Sequence, residues 1–198
     1  MLFQTSHFLW FFVGFYTLFL LVQQRVALRN LLLVVASYYF YSVWDWRFIF
    51  LLLFVTVLDF ALGIAIENSQ SLRKKKLWLW ISVLSNLGLL AFFKYFNFFV
   101  DSLKVTGIEL STLEIVLPVG ISFFTFESLS YIIDVYRGKL KALRSPVDYA
   151  LFISFFPHLV AGPIIRPATF FPAIQRKSAV TSDEFWTGLY RFGSGVIK

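Results

Sequence analysis

Cysteine is absent from the 198 residues, which excludes disulfides, thiolate metal sites and a cysteine nucleophile. Charge is scarce as well. Asp, Glu, Lys and Arg make up 15% of the chain, against about 25% in a soluble domain. Low-complexity stretches and internal repeats are also lacking, and the simplest division is one continuous membrane domain over 1–198. Met1–His7 holds no Lys or Arg, and no small-residue cleavage motif follows the apolar run Phe8–Val22. That run therefore reads as a retained first span and not as a cleavable signal. What fills the sequence instead is apolar: 59% hydrophobic residues, 26 Phe and a mean hydropathy of +0.75. Such a composition calls for lipid as solvent. The net charge of +7 does not imply nucleic acid, because the basic residues sit in short clusters between apolar runs, the pattern of membrane topology signals.

A helix crosses the hydrocarbon core with about 20 apolar residues. Five segments meet or approach that length: Phe8–Val22, Leu31–Val43, Phe48–Ile66, Leu77–Val100 and Val116–Val135. They lack polar–apolar alternation, which excludes a membrane barrel, and unpaired backbone in lipid costs several kcal/mol per group, which excludes open strands. The expected fold class is an all-α polytopic membrane protein.

Charge in the connections orients the spans. Arg25 and Arg29 follow the first, Arg73, Lys74, Lys75 and Lys76 the third, and Arg137, Lys139, Lys141 and Arg144 the fifth, whereas the alternate loops are poor in Lys and Arg. The positive-inside rule then places the N-terminus outside and these basic loops in the cytoplasm. Val147–Ala161 is too short for a span and is interrupted by Pro157, with Pro163 at its exit; it reads as a re-entrant segment entered from the cytoplasmic side. Thr181-Ser182-Asp183-Glu184 reads as an N-cap with acidic first-turn residues, opening a helix from Phe185 onward.

Ionisable groups inside a bilayer are costly, so each is a candidate site. Lys94 lies near the outer end of its span, where snorkelling accounts for it. Asp134 precedes Arg137 by three residues, the spacing of an interfacial i,i+3 pair. Glu127 is mid-span, and Asp134 lies seven residues on, so the two share a helix face. Two readings stand: an interhelical hydrogen-bond cluster, or the polar wall of a cavity or tunnel. Asp59, also mid-span, is a candidate counterpart on another helix. His158 has no second His, Cys or carboxylate at metal-ligand spacing, and no nucleophile elbow or phosphate loop occurs. Gly162, Pro163 and Arg166 belong to irregular backbone at membrane depth, tolerated only when buried in protein or lining a polar cavity. From there Arg166 is placed to meet an anionic substrate.

Three stretches in order carry a resemblance: Leu117-Pro118-Val119-Gly120-Ile121-Ser122-Phe123-Phe124-Thr125-Phe126, Ser130-Tyr131-Ile132-Ile133-Asp134-Val135-Tyr136-Arg137, and Phe155-Phe156-Pro157-His158-Leu159-Val160-Ala161-Gly162-Pro163-Ile164-Ile165-Arg166. The chain resembles the membrane-bound O-acyltransferase family, and is most similar to its alginate O-acetyltransferase branch, whose bacterial relatives include the D-alanyl transferases of teichoic acid. Arg29-Asn30-Leu31 and Phe92-Phe93-Lys94-Tyr95 match that branch more weakly.

The resemblance implies a multi-helix fold pierced by a tunnel, in the bacterial inner membrane. There an acyl group from a cytoplasmic donor, acetyl-CoA or another activated acyl group, meets a hydroxyl acceptor. It implies an exported polysaccharide as acceptor, periplasmic acetylation proteins as partners, and no bound cofactor or metal. The family's signature His falls beyond the position matching Lys198, so the resemblance assigns no catalytic residue here, and His158 does not inherit that role. Relatives often carry Gln where this chain has Glu127. The expectation is the N-terminal portion of an O-acetyltransferase, inactive alone, with a separate C-terminal half as a possible partner. Two other classes stay open: a transporter-like module with an ion path through Asp59, Glu127 and Asp134, and a non-catalytic truncated membrane protein.

Overall fold

In the computed structural model, residues 5–104, 115–159, 162–177 and 180–197 are described, and every regular element among them is helical. The elements are α1 (Ser6–Val22), α2 (Val26–Asp45), α3 (Phe48–Asn68), α4 (Leu72–Leu90), a π-helical turn (Ala91–Tyr95), α5 (Phe96–Lys104), α6 (Ile121–Tyr136), α7 (Pro146–Ser154), α8 (Phe156–Leu159), α9 (Pro167–Gln175) and α10 (Ser182–Ile197).

Three helical stretches are long and apolar enough to cross a bilayer: Val26–Asp45, Phe48–Asn68 and Leu72–Val100. α1 adds a shorter apolar helix of 17 residues, capped by the Thr5 hydroxyl, which accepts the Phe8 N–H at 3.3 Å. Apolar side chains cover the exterior as well as the interior. Trp10, Leu21, Phe50, Val57 and Leu84 are all exposed. Helices that are apolar all round belong in lipid, and the chain is an integral membrane protein.

Two expected boundaries move. α2 begins at Val26 instead of Leu31, which draws Arg29 and Asn30 out of the connection and into its first turns. α6 begins at Ile121 instead of Val116. Pro118 opens a tight turn closed by the Ile121 N–H on the Pro118 carbonyl at 3.2 Å, and Gly120 sits at φ 77°, ψ 2°, the third position of a type II turn. The Tyr41 hydroxyl donates to the Val119 carbonyl at 2.9 Å and fixes that turn against α2. The connection expected between the fourth and fifth spans falls mostly on 105–114, outside the described residues, as do Val160 and Ala161 of the re-entrant stretch.

Leu72–Val100 has 29 residues, roughly 43 Å at 1.5 Å per residue, longer than a hydrocarbon core of about 30 Å. From Lys76 to Lys94 the rise is about 27 Å, so the two cations bracket one bilayer thickness. Lys94 is exposed in the π turn with its Nζ 5.5 Å from the Tyr95 ring centroid, within reach of a cation–π contact.

The packed interior is built around α6. α3 and α4 lie along it, α2 and α3 pack on α7, and α9 closes over α7. Gly63 lets α6 approach α3: a Cβ there would stand 2.7 Å from the Tyr131 hydroxyl, which accepts the Leu143 N–H at 3.0 Å. The stretch expected to re-enter forms two helices broken at Phe155, as Pro157 dictates. The break frees the Phe156 N–H, and the Ser37 hydroxyl accepts it at 3.2 Å, meeting the need of buried backbone for a partner.

α10 opens as expected, on a reciprocal cap. The Thr181 hydroxyl accepts the Glu184 N–H at 3.3 Å while the Glu184 carboxylate accepts the Thr181 N–H at 2.9 Å. The hydrogen bonds from the Thr181 N–H and hydroxyl hold the Glu184 carboxyl below its usual range. A carboxylate with a lowered folded pKa stabilises above the unfolded value, about 4.3, and loses that contribution as pH falls through the folded one. Protection of the Thr181–Phe185 amides, taken relative to their intrinsic exchange rates, should therefore be flat at neutral pH and fall below about pH 4. A Thr181→Ala variant should show the low protection at every pH; equal protection in the two proteins at neutral pH would refute the cap.

Candidate functional site

Two buried polar constellations lie back to back on α6. The first hangs on Glu127, which is fully buried. Its Oε1 stands 3.4 Å from His158 Nε2 on α8 and accepts the Ile165 N–H at 3.4 Å. One carboxylate thus clasps the irregular stretch on both sides of Gly162. Among the described residues, Glu127 Oε2 and both ring nitrogens of His158 have no hydrogen-bond partner, while the Phe155 and Phe170 rings flank the imidazole at 5.2 and 5.9 Å. Gly162 is required here. Its N–H donates to the His158 carbonyl at 2.9 Å, and a Cβ would overlap the His158 Cα and Cβ. Pro163 and Arg166 are exposed, and Arg166 stands at the N-cap of α9 with no hydrogen bond from its guanidinium among the described residues.

The second constellation centres on Asp59 of α3. Its Oδ2 accepts the Asn86 Nδ2–H at 2.6 Å and the Ser128 hydroxyl, which lies 2.9 Å from the Tyr149 hydroxyl. Four helices, α3, α4, α6 and α7, meet at these side chains, all of them buried. Removing such groups from water without partners costs several kcal/mol each, so the network holds the bundle in one arrangement.

The expected site residues are thus divided. Glu127, His158 and Gly162 come together, with Arg166 following at the segment's exposed end. Asp134 is half-buried near the end of α6, apart from Glu127, and its pair with Arg137 is not formed; its backbone carbonyl instead accepts Lys139 N–H at 2.9 Å. Seven residues of helix separate the two carboxylates by about 10 Å of rise, too far to act on one group.

Arg29 also departs from expectation. Read as a loop charge, it is buried and donates to the Ile174 carbonyl and, at 3.0 Å, to the Arg176 carbonyl at the end of α9. Asn30 beside it donates to Asp148 at 2.9 Å. Asn86, Ser128 and Tyr149 went unread because they carry no charge. Ser82 and Asn86, four apart in an apolar helix, were the available signal: small and amide side chains at one face of a span mark helix contacts.

An open groove of about 1110 Å³ runs beside α1, lined by Phe12, Phe15, Phe19, Phe155 and Phe156 with Arg191 at one side. Glu127 and His158 are not part of its lining. Among the described residues no three His, Asp or Glu side chains gather as metal ligands do.

No family model matches the chain, and no solved structure matches it. Among curated proteins, it is 41% identical over 206 residues to the probable alginate O-acetylase AlgI of Pseudomonas syringae pv. tomato, covering all of the chain and 39% of that protein. It is 42% identical over 207 residues to the protein of the same name from Pseudomonas aeruginosa, again over all of the chain and 39% of the relative. The peptidoglycan O-acetyltransferase of Helicobacter pylori is 31% identical over 229 residues, covering 100% of the chain and 44% of the relative. The chain spans about two-fifths of the length of the curated relatives it matches.

Proposed function

We propose that this chain, homologous over its whole length to the alginate O-acetylase branch of the membrane-bound O-acyltransferases, is the N-terminal portion of an O-acetyltransferase acting on an exported polysaccharide. The observation that carries the reading is identity of 41–42% extending over the entire chain.

In acyl transfer a hydroxyl oxygen attacks the donor's carbonyl carbon, the acyl–sulfur bond breaks, and the hydroxyl proton passes to a base. This chain's contribution is positional. Glu127 clasps the stretch from His158 to Ile165, and Arg166 extends from it, exposed, where a guanidinium binds phosphate or carboxylate groups of an anionic donor such as acetyl-CoA. A general base contributes about 10²–10⁴-fold and comes, in this reading, from the part of the fold that the chain does not span. The protein sits in the inner membrane with its N-terminus outside, and hands the acetyl group to periplasmic proteins acting on the polysaccharide.

The test has two arms. Purified chain incubated with labelled acetyl donor is expected to transfer nothing above a blank. Co-expressed with a fragment supplying the remaining three-fifths of an alginate O-acetylase, in a strain lacking that enzyme, it is expected to restore acetylated polymer, and Arg166→Ala to reduce the yield. Transfer by the chain alone would overturn the division of labour. Failure of the paired halves, with the intact relative active in the same strain, would overturn the functional reading.

A further inference from the structure

The Asp59 constellation lacks positive charge where a bilayer interior demands it. Asp59 is fully buried, and its partners Asn86, Ser128 and Ser82, with Tyr149 behind Ser128, are all neutral. The ion pairs among the described residues lie elsewhere: Arg47 with Asp45 and Arg144 with Glu67. An uncompensated carboxylate inside a membrane is expensive.

Among the described residues, three buried oxygens also have no hydrogen-bond partner: Asp59 Oδ1, Asn86 Oδ1 and Thr125 Oγ1. They come from α3, α4 and α6, the helices that pack on one another along this part of the bundle. Thr125 precedes Ser128 by three residues and so shares its helix face. Asn86 is fixed by a second bond from its Nδ2 to the Ser82 carbonyl at 3.0 Å. All three are oxygen ligands, and two of them can only accept. A site short of positive partners selects a cation. One carboxylate with no other charge selects a single positive charge. Ligands that are all oxygen select a hard ion over a transition metal.

We propose that Asp59, Asn86 and Thr125 form a buried site for a monovalent hard cation, sodium, at the junction of α3, α4 and α6. The ion neutralises Asp59, satisfies the three oxygens and ties together three helices whose direct link is otherwise made by Asn86 and Ser128. Oxygen-lined sodium sites of this kind are one way membrane proteins accommodate a buried carboxylate.

The full 198-residue chain, purified in detergent, is melted in sodium, potassium and choline chloride at matched ionic strength. Sodium is expected to raise the melting temperature by about 5–10 °C over choline, saturating as a single site does. Asp59→Asn should abolish the sodium increment. Thr125→Val, which leaves the Asp59 hydrogen bonds intact, should melt like wild type in choline but need more sodium for half the effect. Identical melting in all three salts, or a sodium increment preserved in Asp59→Asn, overturns the proposal. So does an infrared protonated-carboxyl band, unaltered by sodium and lost in Asp59→Asn, since a proton would then supply the charge.

Discussion

Gly120→Ala is expected to destabilise the protein by about 3 kcal/mol or more. The left-handed conformation at φ 77° costs a residue with a side chain about 1–2 kcal/mol. The space costs more. A Cβ at this position would stand 2.5 Å from the Leu159 carbonyl oxygen, a backbone atom on the short helix α8 that carries His158. Backbone cannot swing aside as a side-chain tip can, so α6 and α8 must separate. That movement also stretches the Glu127–His158 contact. Gly138 supplies the control. It has φ 70° but nothing within 4 Å of its virtual Cβ, so Gly138→Ala should cost only the conformational term of about 1–2 kcal/mol. Unfolding of the two variants in detergent, followed by tryptophan fluorescence, gives the comparison. Equal losses would show that the α6–α8 contact is not tight.

Arg29→Ala should cost about as much, for a different reason. The guanidinium, 5% exposed, donates to the carbonyls of Ile174 and Arg176 and to the Asn30 side chain. These are the last carbonyls of α9, which a helix leaves unpaired. A charge-assisted hydrogen bond contributes about 1.5–3 kcal/mol; the Ile174 carbonyl keeps the Asn30 Nδ2–H at 3.2 Å, so the loss is that of the guanidinium's own bonds. A loss near 3 kcal/mol follows, with α9 released from α2 and the Arg176–Lys177 bond more readily cut by trypsin. Arg25→Ala is the contrast, since Arg25 is exposed in the connection before α2 and its removal should stay within about 0.5 kcal/mol. Were Arg29 only a topology signal, the two substitutions would behave alike.

Arg25 and Arg29 also show where sequence reading stops. Both follow the same apolar run, and both count equally towards orientation. Only the C-terminal end of α9, brought back from 145 residues further along the chain, makes one of them a structural clasp. His158 is the same case. No partner stands near it in sequence, and its partner Glu127 arrives from another helix. Asp134, by contrast, was placed on Glu127's face by periodicity, and the rise along α6 then kept the two apart.

The all-α membrane character followed from the apolar runs themselves, which carried it without any knowledge of contacts. Lipid imposes the rule locally: backbone hydrogen bonds must close within each segment, so length and hydropathy suffice to read the chain as helical and membrane-bound, although three helical stretches among the described residues, and not five, are long and apolar enough to cross. The cap at Thr181 and the break before Pro157 were legible for the same reason, each being settled within a turn or two of helix. Which polar groups meet was decided by tertiary structure alone. In an all-apolar bundle the rotation of each helix is set by side-chain fit and by a few polar contacts across helices, and neither Asp59 with Ser128 nor Glu127 with His158 is encoded by any spacing along the chain.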